Sequence, residues 1–145
     1  MIMVVGPIGT GKTSLLNALQ QNGQKAVKTQ SISYVNGSID TPGEYVQMPR
    51  FYSSLTVTAA EAKIVLVVQD ATDTKVSLPP GFISLLIRPV VGVITKIDLP
   101  GANREKAKAL LKQAGIKEPY FYVSAHTGAG LPELIAYLRE RGEKL

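Results

Sequence analysis

The sequence predicts an α/β fold, an open and mostly parallel sheet sandwiched between helices. Four short runs, Ile2 to Val5, Ile64 to Val68, Val90 to Thr95 and Tyr120 to Val123, are nearly all apolar rather than alternating, as strands buried on both faces are. Helical patterns lie between them, and strands that alternate with helices through short links form right-handed crossovers, with a ligand crevice beyond the carboxyl ends of the strands. A third observation sets one edge. Ser31 to Tyr34 and Ser38 to Ile39 flank Asn36-Gly37, a dipeptide suited to a two-residue type I′ turn, so a short hairpin places one antiparallel strand at the sheet edge.

The elements follow in order. The first strand runs through a Gly-rich turn into a helix from Lys12 to Gln21, and after the hairpin a second helical pattern covers Phe51 to Ala62. Thr72 to Pro89 breaks the alternation, because Pro79-Pro80-Gly81 in its middle leaves at most a short helix around Phe82 to Ile87. Arg104 to Ala114 is ended by Gly115, and Leu131 to Arg141 by Gly142, glycine being the common residue just past a helix end.

At 145 residues, 45% of them hydrophobic and 19% charged, the chain fits one domain, 1–145, with a single core. No apolar run approaches the roughly 18 residues of a membrane span. The start, Met1-Ile2-Met3-Val4-Val5-Gly6, has no basic region before a long apolar stretch, so no secretory signal is expected and a cytoplasmic location is. The absence of cysteine and the single His126 exclude disulfides, thiolate sites and His-cluster metal chemistry, while leaving room for an Asp/Ser/Thr site for Mg²⁺. The net charge of +5 is spread without a block of five or six like charges. It reads as a solvated surface, and neither a nucleic acid nor a membrane is expected as partner.

Gly6-Pro7-Ile8-Gly9-Thr10-Gly11-Lys12-Thr13 matches G-x-x-x-x-G-K-[ST], directly after a predicted strand and before a predicted helix that continues with Ser14. Glycines at these places let backbone N–H groups converge on a phosphate, at a helix N-terminus whose partial positive charge favours an anion. In such a loop Lys12 reaches the β- and γ-phosphates and Thr13 ligates Mg²⁺.

The remaining motifs are weaker and each admits a plainer reading. Asp40-Thr41-Pro42-Gly43 suits a carboxylate serving Mg²⁺ and a glycine N–H meeting a γ-phosphate; it is also a good turn. Thr95-Lys96-Ile97-Asp98 ends the third long apolar run. Asp98 there can accept two hydrogen bonds from guanine, which adenine does not offer, with the Lys96 stem along the base; the alternative is a helix cap before Pro100-Gly101. Ser124-Ala125 closes the fourth run, where a backbone N–H can reach guanine O6. Thr29, on the segment before the hairpin, can complete a Mg²⁺ shell when a γ-phosphate is present, as can other threonines.

Taken in order, GPIGTGKT, Thr29, DTPG, TKID and SA resemble the five motifs of the small P-loop GTPases. More narrowly, KTQ, IDTPGEY, the Pro-Pro-Gly segment and VVGVITKIDL resemble the EutP/PduV family of ethanolamine and propanediol utilisation. The resemblance implies a three-layer P-loop NTPase with a Ras-like six-stranded sheet, and GTP or GDP as ligand in preference to ATP, with Mg²⁺. It also implies a setting near a bacterial microcompartment, with shell or cargo proteins as partners. Three residues depart from the Ras-like pattern: Thr95 replaces an asparagine, shortening or losing one contact near the base N7 and the phosphate loop; Glu44 stands where a water-positioning glutamine would; and Ile8 stands where a glycine would. Lys12, Thr29, Gly43 and Glu44 are then the residues around the γ-phosphate. Slow GTP hydrolysis is the expected activity, and phosphoryl transfer to a small carboxylic acid or nucleotide binding without turnover are the alternatives.

Overall fold

The computed structural model of the chain describes residues 2–7, 9–20, 33–35, 38–41, 49–74, 78 and 81–142. Ten elements follow one another along them: β1 (Ile2–Val5), α1 (Lys12–Gln20), β2 (Ser33–Val35), β3 (Ser38–Asp40), α2 (Tyr52–Ala59), β4 (Ile64–Asp70), β5 (Val90–Thr95), α3 (Arg104–Gln113), β6 (Tyr120–Tyr122) and α4 (Leu131–Glu140). The strands form one sheet in the order β2-β3-β1-β4-β5-β6. β1 runs parallel to both β3 and β4, and β5 runs parallel to β4 and β6. Only β2, at the edge and antiparallel to β3, runs the other way; Val35 pairs with Ser38, and the turn residues Asn36 and Gly37 lie outside the described residues.

The nearly unbroken apolar runs are explained by helices on both faces. Met3, Val5, Val65 and Val67 pack with Leu55 and Ala59 of α2 and Ala107 and Leu111 of α3. Ile2, Val4, Leu66 and Val68 pack instead with Leu15, Leu16 and Leu19 of α1 and Leu134 and Leu138 of α4. Alternate residues of one strand thus serve opposite cores, so these runs have no solvent-facing side to alternate with polar residues.

Among the described residues, three elements differ from expectation by more than one residue at an end. α2 stops at Ala59 because its last turns tighten, with the Glu61 and Ala62 N–H groups donating to the Thr58 and Ala59 carbonyls, and a short 3-10 turn at Pro49–Phe51 precedes it. The helix expected around Phe82 to Ile87 is reduced to a 3-10 turn at Ile83–Leu85, since Leu86 is already extended ahead of β5. β4 continues past its apolar run through Gln69 and Asp70, held there by pairing with Ile94 and Thr95. Asn103 caps α3 by accepting from the Lys106 N–H at 3.0 Å. Among the described residues no helix is long and apolar enough to cross a membrane.

Because β1 is followed on one side by β3 and on the other by β4, the connections leaving them diverge at the carboxyl end of β1. That divergence opens a crevice where ligands of such sheets bind.

Candidate functional site

The Gly-rich loop leaves β1 at this crevice. A Cβ on Gly6 would lie 2.9 Å from the Val68 carbonyl oxygen, so glycine is what lets the chain turn flush against β4. Gly9 and Gly11 have φ of +83° and +90°, and left-handed residues alternating with ordinary ones form the concave arrangement of N–H groups that attracts anions. The loop is braced from within: the Thr10 hydroxyl donates to the Pro7 carbonyl at 2.9 Å, and the Lys12 ammonium to the same oxygen at 3.0 Å. Lys12 is only 7% exposed. Thr13 and Ser14, half-buried, lie in the first turn of α1, whose opening bond runs from the Leu15 N–H to the Gly11 carbonyl at 2.8 Å.

The end of β5 abuts this loop. Buried Thr95 donates through Oγ1 to the Thr10 carbonyl at 2.6 Å. With β5 packed this close, the short Thr95 hydroxyl still reaches the loop, so the loop side of the contact expected to be shortened or lost is present. Lys96 has the left-handed φ of 61°. Its ammonium donates to the Gly9 carbonyl and pairs with Asp70 Oδ2 at 2.9 Å. Asp98 is exposed in the turn beyond, and since Asn103 caps α3, the helix-cap alternative for Asp98 falls away. The Ile97 N–H donates to the Val123 carbonyl at 3.4 Å, bringing the β5 and β6 loops together. There Ser124 is buried, its Oγ accepting from the Thr127 N–H at 3.0 Å and its own N–H donating to Ala129. Half-buried Ala125 follows in the same tight loop.

The family model described as "Ethanolamine utilisation - propanediol utilisation", PduV-EutP, matches residues 1–140. The chain belongs to this family. Among its PduV-EutP relatives, "Probable acetate kinase EutP" of Escherichia coli strain K12 is 37% identical, over 99% of this chain and 95% of its own length. "Propanediol utilization protein PduV" of Citrobacter freundii is 36% identical over 97% and 93%. Outside the family, the "Translation initiation factor IF-2" of Lachnospira eligens is 28% identical over 93% of this chain, which corresponds to 16% of the factor.

In this PduV-EutP chain the described residues of the loop, Gly6, Pro7 and Gly9 to Thr13, gather with Thr95, Lys96, Asp98, Ser124 and Ala125 at one end of the sheet. Asp40 joins them through its backbone, since β3 pairs Asp40 with Val4, and the neighbouring Thr41 hydroxyl donates to the Val4 carbonyl at 2.8 Å. Ile8, Thr29, Gly43 and Glu44 lie outside the described residues.

Sequence reasoning missed Asp70 and Thr72. Burial pushes the Asp70 carboxyl up, but hydrogen bonds from the Thr72 hydroxyl, Lys96 and the Thr72 N–H outweigh it and leave the carboxyl below its ordinary value. The available signal was Gln69-Asp70, a polar pair closing an otherwise apolar strand.

Proposed function

We propose that the chain is a single P-loop nucleotide-binding domain of the Ras-like, three-layer kind, which binds a purine nucleoside triphosphate, GTP preferred, and hydrolyses it slowly. The observation that carries this is the loop between β1 and α1: left-handed Gly9 and Gly11, with the buried Lys12 held across the loop on the Pro7 carbonyl. Among the described residues, nothing lies within 4 Å of where a Cβ on Gly9 would stand. On phosphate binding the Lys12 ammonium exchanges Pro7 for β- and γ-oxygens, a charge-assisted replacement for a neutral one. Asp98 reads the guanine N1–H and 2-amino group, the Lys96 stem lines the base, and the Ser124-Ala125 loop offers an N–H to O6.

The donor set suits Mg²⁺, a cation that prefers oxygen ligands. Thr13 would hold it, with Asp40 and Thr29 beside it. When bound it supplies charge neutralisation of the β- and γ-phosphate oxygens. In hydrolysis a water oxygen bonds to the γ-phosphorus as the bond to the β,γ-bridging oxygen breaks, leaving GDP and inorganic phosphate and releasing a proton. Glu44 in place of a neutral amide and Ile8 in place of a glycine slow this step, by charge repulsion and by crowding. The family's role in ethanolamine and propanediol utilisation favours a cytoplasmic setting near a microcompartment, with shell or cargo proteins as partners.

A second reading is favoured by the name of the relatives called probable acetate kinases. In it a carboxylate oxygen replaces water as the attacking atom, giving an acyl phosphate and the nucleoside diphosphate. Phosphate release and acyl-phosphate trapping with hydroxylamine, measured with GTP and with ATP in the presence and absence of acetate, separate the two. Phosphate release that is indifferent to acetate supports hydrolysis. Acetate-dependent hydroxamate supports transfer, and neither product leaves a binding protein without turnover.

A further inference from the structure

Asp70 ends β4, where its pairing with Thr95 is a backbone matter and asks for no carboxylate. The residue is nevertheless 8% exposed and committed on both oxygens. Oδ1 accepts from the Thr72 N–H at 2.8 Å and the Thr72 hydroxyl at 2.6 Å, while Oδ2 pairs with the Lys96 ammonium at 2.9 Å. Two bonds from Thr72 fix the carboxylate plane, so the remaining oxygen is aimed. What it is aimed at is a long, flexible side chain on a left-handed backbone, a conformation uncommon for a residue other than glycine. The same ammonium donates to the Gly9 carbonyl in the Gly-rich loop. Thr72, Asp70, Lys96 and Gly9 therefore form one chain of contacts running from β4 past the end of β5 to the loop after β1.

We propose that Asp70 is a positioning residue: it holds Lys96 stretched across to Gly9, so that the Lys96 stem is a fixed wall for the base and the loop is set before nucleotide arrives. The role rests on the nucleotide site proposed above. Without the carboxylate, Lys96 keeps only its bond to the Gly9 carbonyl, gains rotamer freedom and must lose it on binding.

The test is a double-mutant cycle on the full chain with MgGDP as probe, its affinity read by calorimetry and folding checked by thermal unfolding. Asp70→Asn keeps an acceptor for Thr72 and loses the charge; it should weaken MgGDP about tenfold, as should Lys96→Met. The double variant should be no more than about twofold weaker than Lys96→Met alone. Thr72→Val reads the same coupling without touching either charge: it should weaken MgGDP severalfold when Lys96 is present and leave it unchanged in the Lys96→Met background. An Asp70→Asn variant with wild-type affinity, whatever its melting temperature, overturns the role, and so do effects that multiply. A wild type that binds no MgGDP overturns the nucleotide site itself, a result distinct from binding with independent substitutions.

Discussion

The two halves of the candidate site are built by different means. The loop after β1 is shaped by its backbone: Gly6 fits under the Val68 carbonyl, and Gly9 and Gly11 occupy left-handed conformations. The loop after β5 is shaped by side chains that reach other strands, Thr95 to Thr10, Lys96 to Gly9 and Asp70. The first half is thus mainly a property of its own glycines, with one close approach to β4, and the second exists only once β4 and β5 are paired. On the proposed reading, the loop after β1 sets affinity for phosphate, whereas the base site built from tertiary links sets selectivity and is open to tuning by residues far away in sequence.

Substitutions can break this division. The largest effect should come from Lys12→Ala, which removes a charge-assisted contact to the phosphates worth about 1.5 to 3 kcal/mol, lowering affinity for GDP and ADP alike in calorimetric titrations. Asp98→Asn should act on the other half alone, lowering guanine affinity by about tenfold while raising that for xanthosine diphosphate, because the new amide donates where the carboxylate accepted. Loss of affinity for every base equally would place Asp98 with the cradle instead. Thr95→Val removes the hydroxyl that joins the halves. It leaves the buried Thr10 carbonyl one donor short and should cost about 1 kcal/mol of stability in chemical unfolding, with a smaller loss of guanine selectivity.

The smallest effect is in pH. Asp70 lies below its ordinary value in the folded chain, so its interactions contribute stability that is fully present above the unfolded value of about 3.9 and lost as the pH falls through the lower folded one. The difference in melting temperature between wild type and Asp70→Asn should therefore hold steady from neutral pH down to about 5 and shrink below about 4. A difference that grows on acidification would show that the carboxyl is held in its protonated form.

What was legible in the sequence follows the same division. The order of strands and helices could be read because residues such as Val65 and Leu66 face opposite cores and both must be apolar. The Gly-rich loop could be read because the conformations of Gly9 and Gly11 are a matter of residue type. The Thr95 link to the loop was not legible, since the distance from β5 to the loop is fixed only by strand pairing. Asp70 was passed over for the same reason: its partners Thr72 and Lys96 are respectively two and twenty-six residues away, and the second link is invisible until the sheet is assembled. The end of α2 at Ala59 was blurred because Thr56, Val57 and Thr58 are weak helix formers, so no single residue marks the stop.

Whether both halves act on one ligand, a guanine nucleotide, is read out by calorimetric titration of the wild-type chain with MgGDP, MgGTP, MgADP and MgATP. One site per chain is expected, with the guanine nucleotides bound at least about tenfold more tightly than their adenine counterparts. Affinities for GTP and ATP within about twofold of each other, or no binding of any of the four, would contradict it.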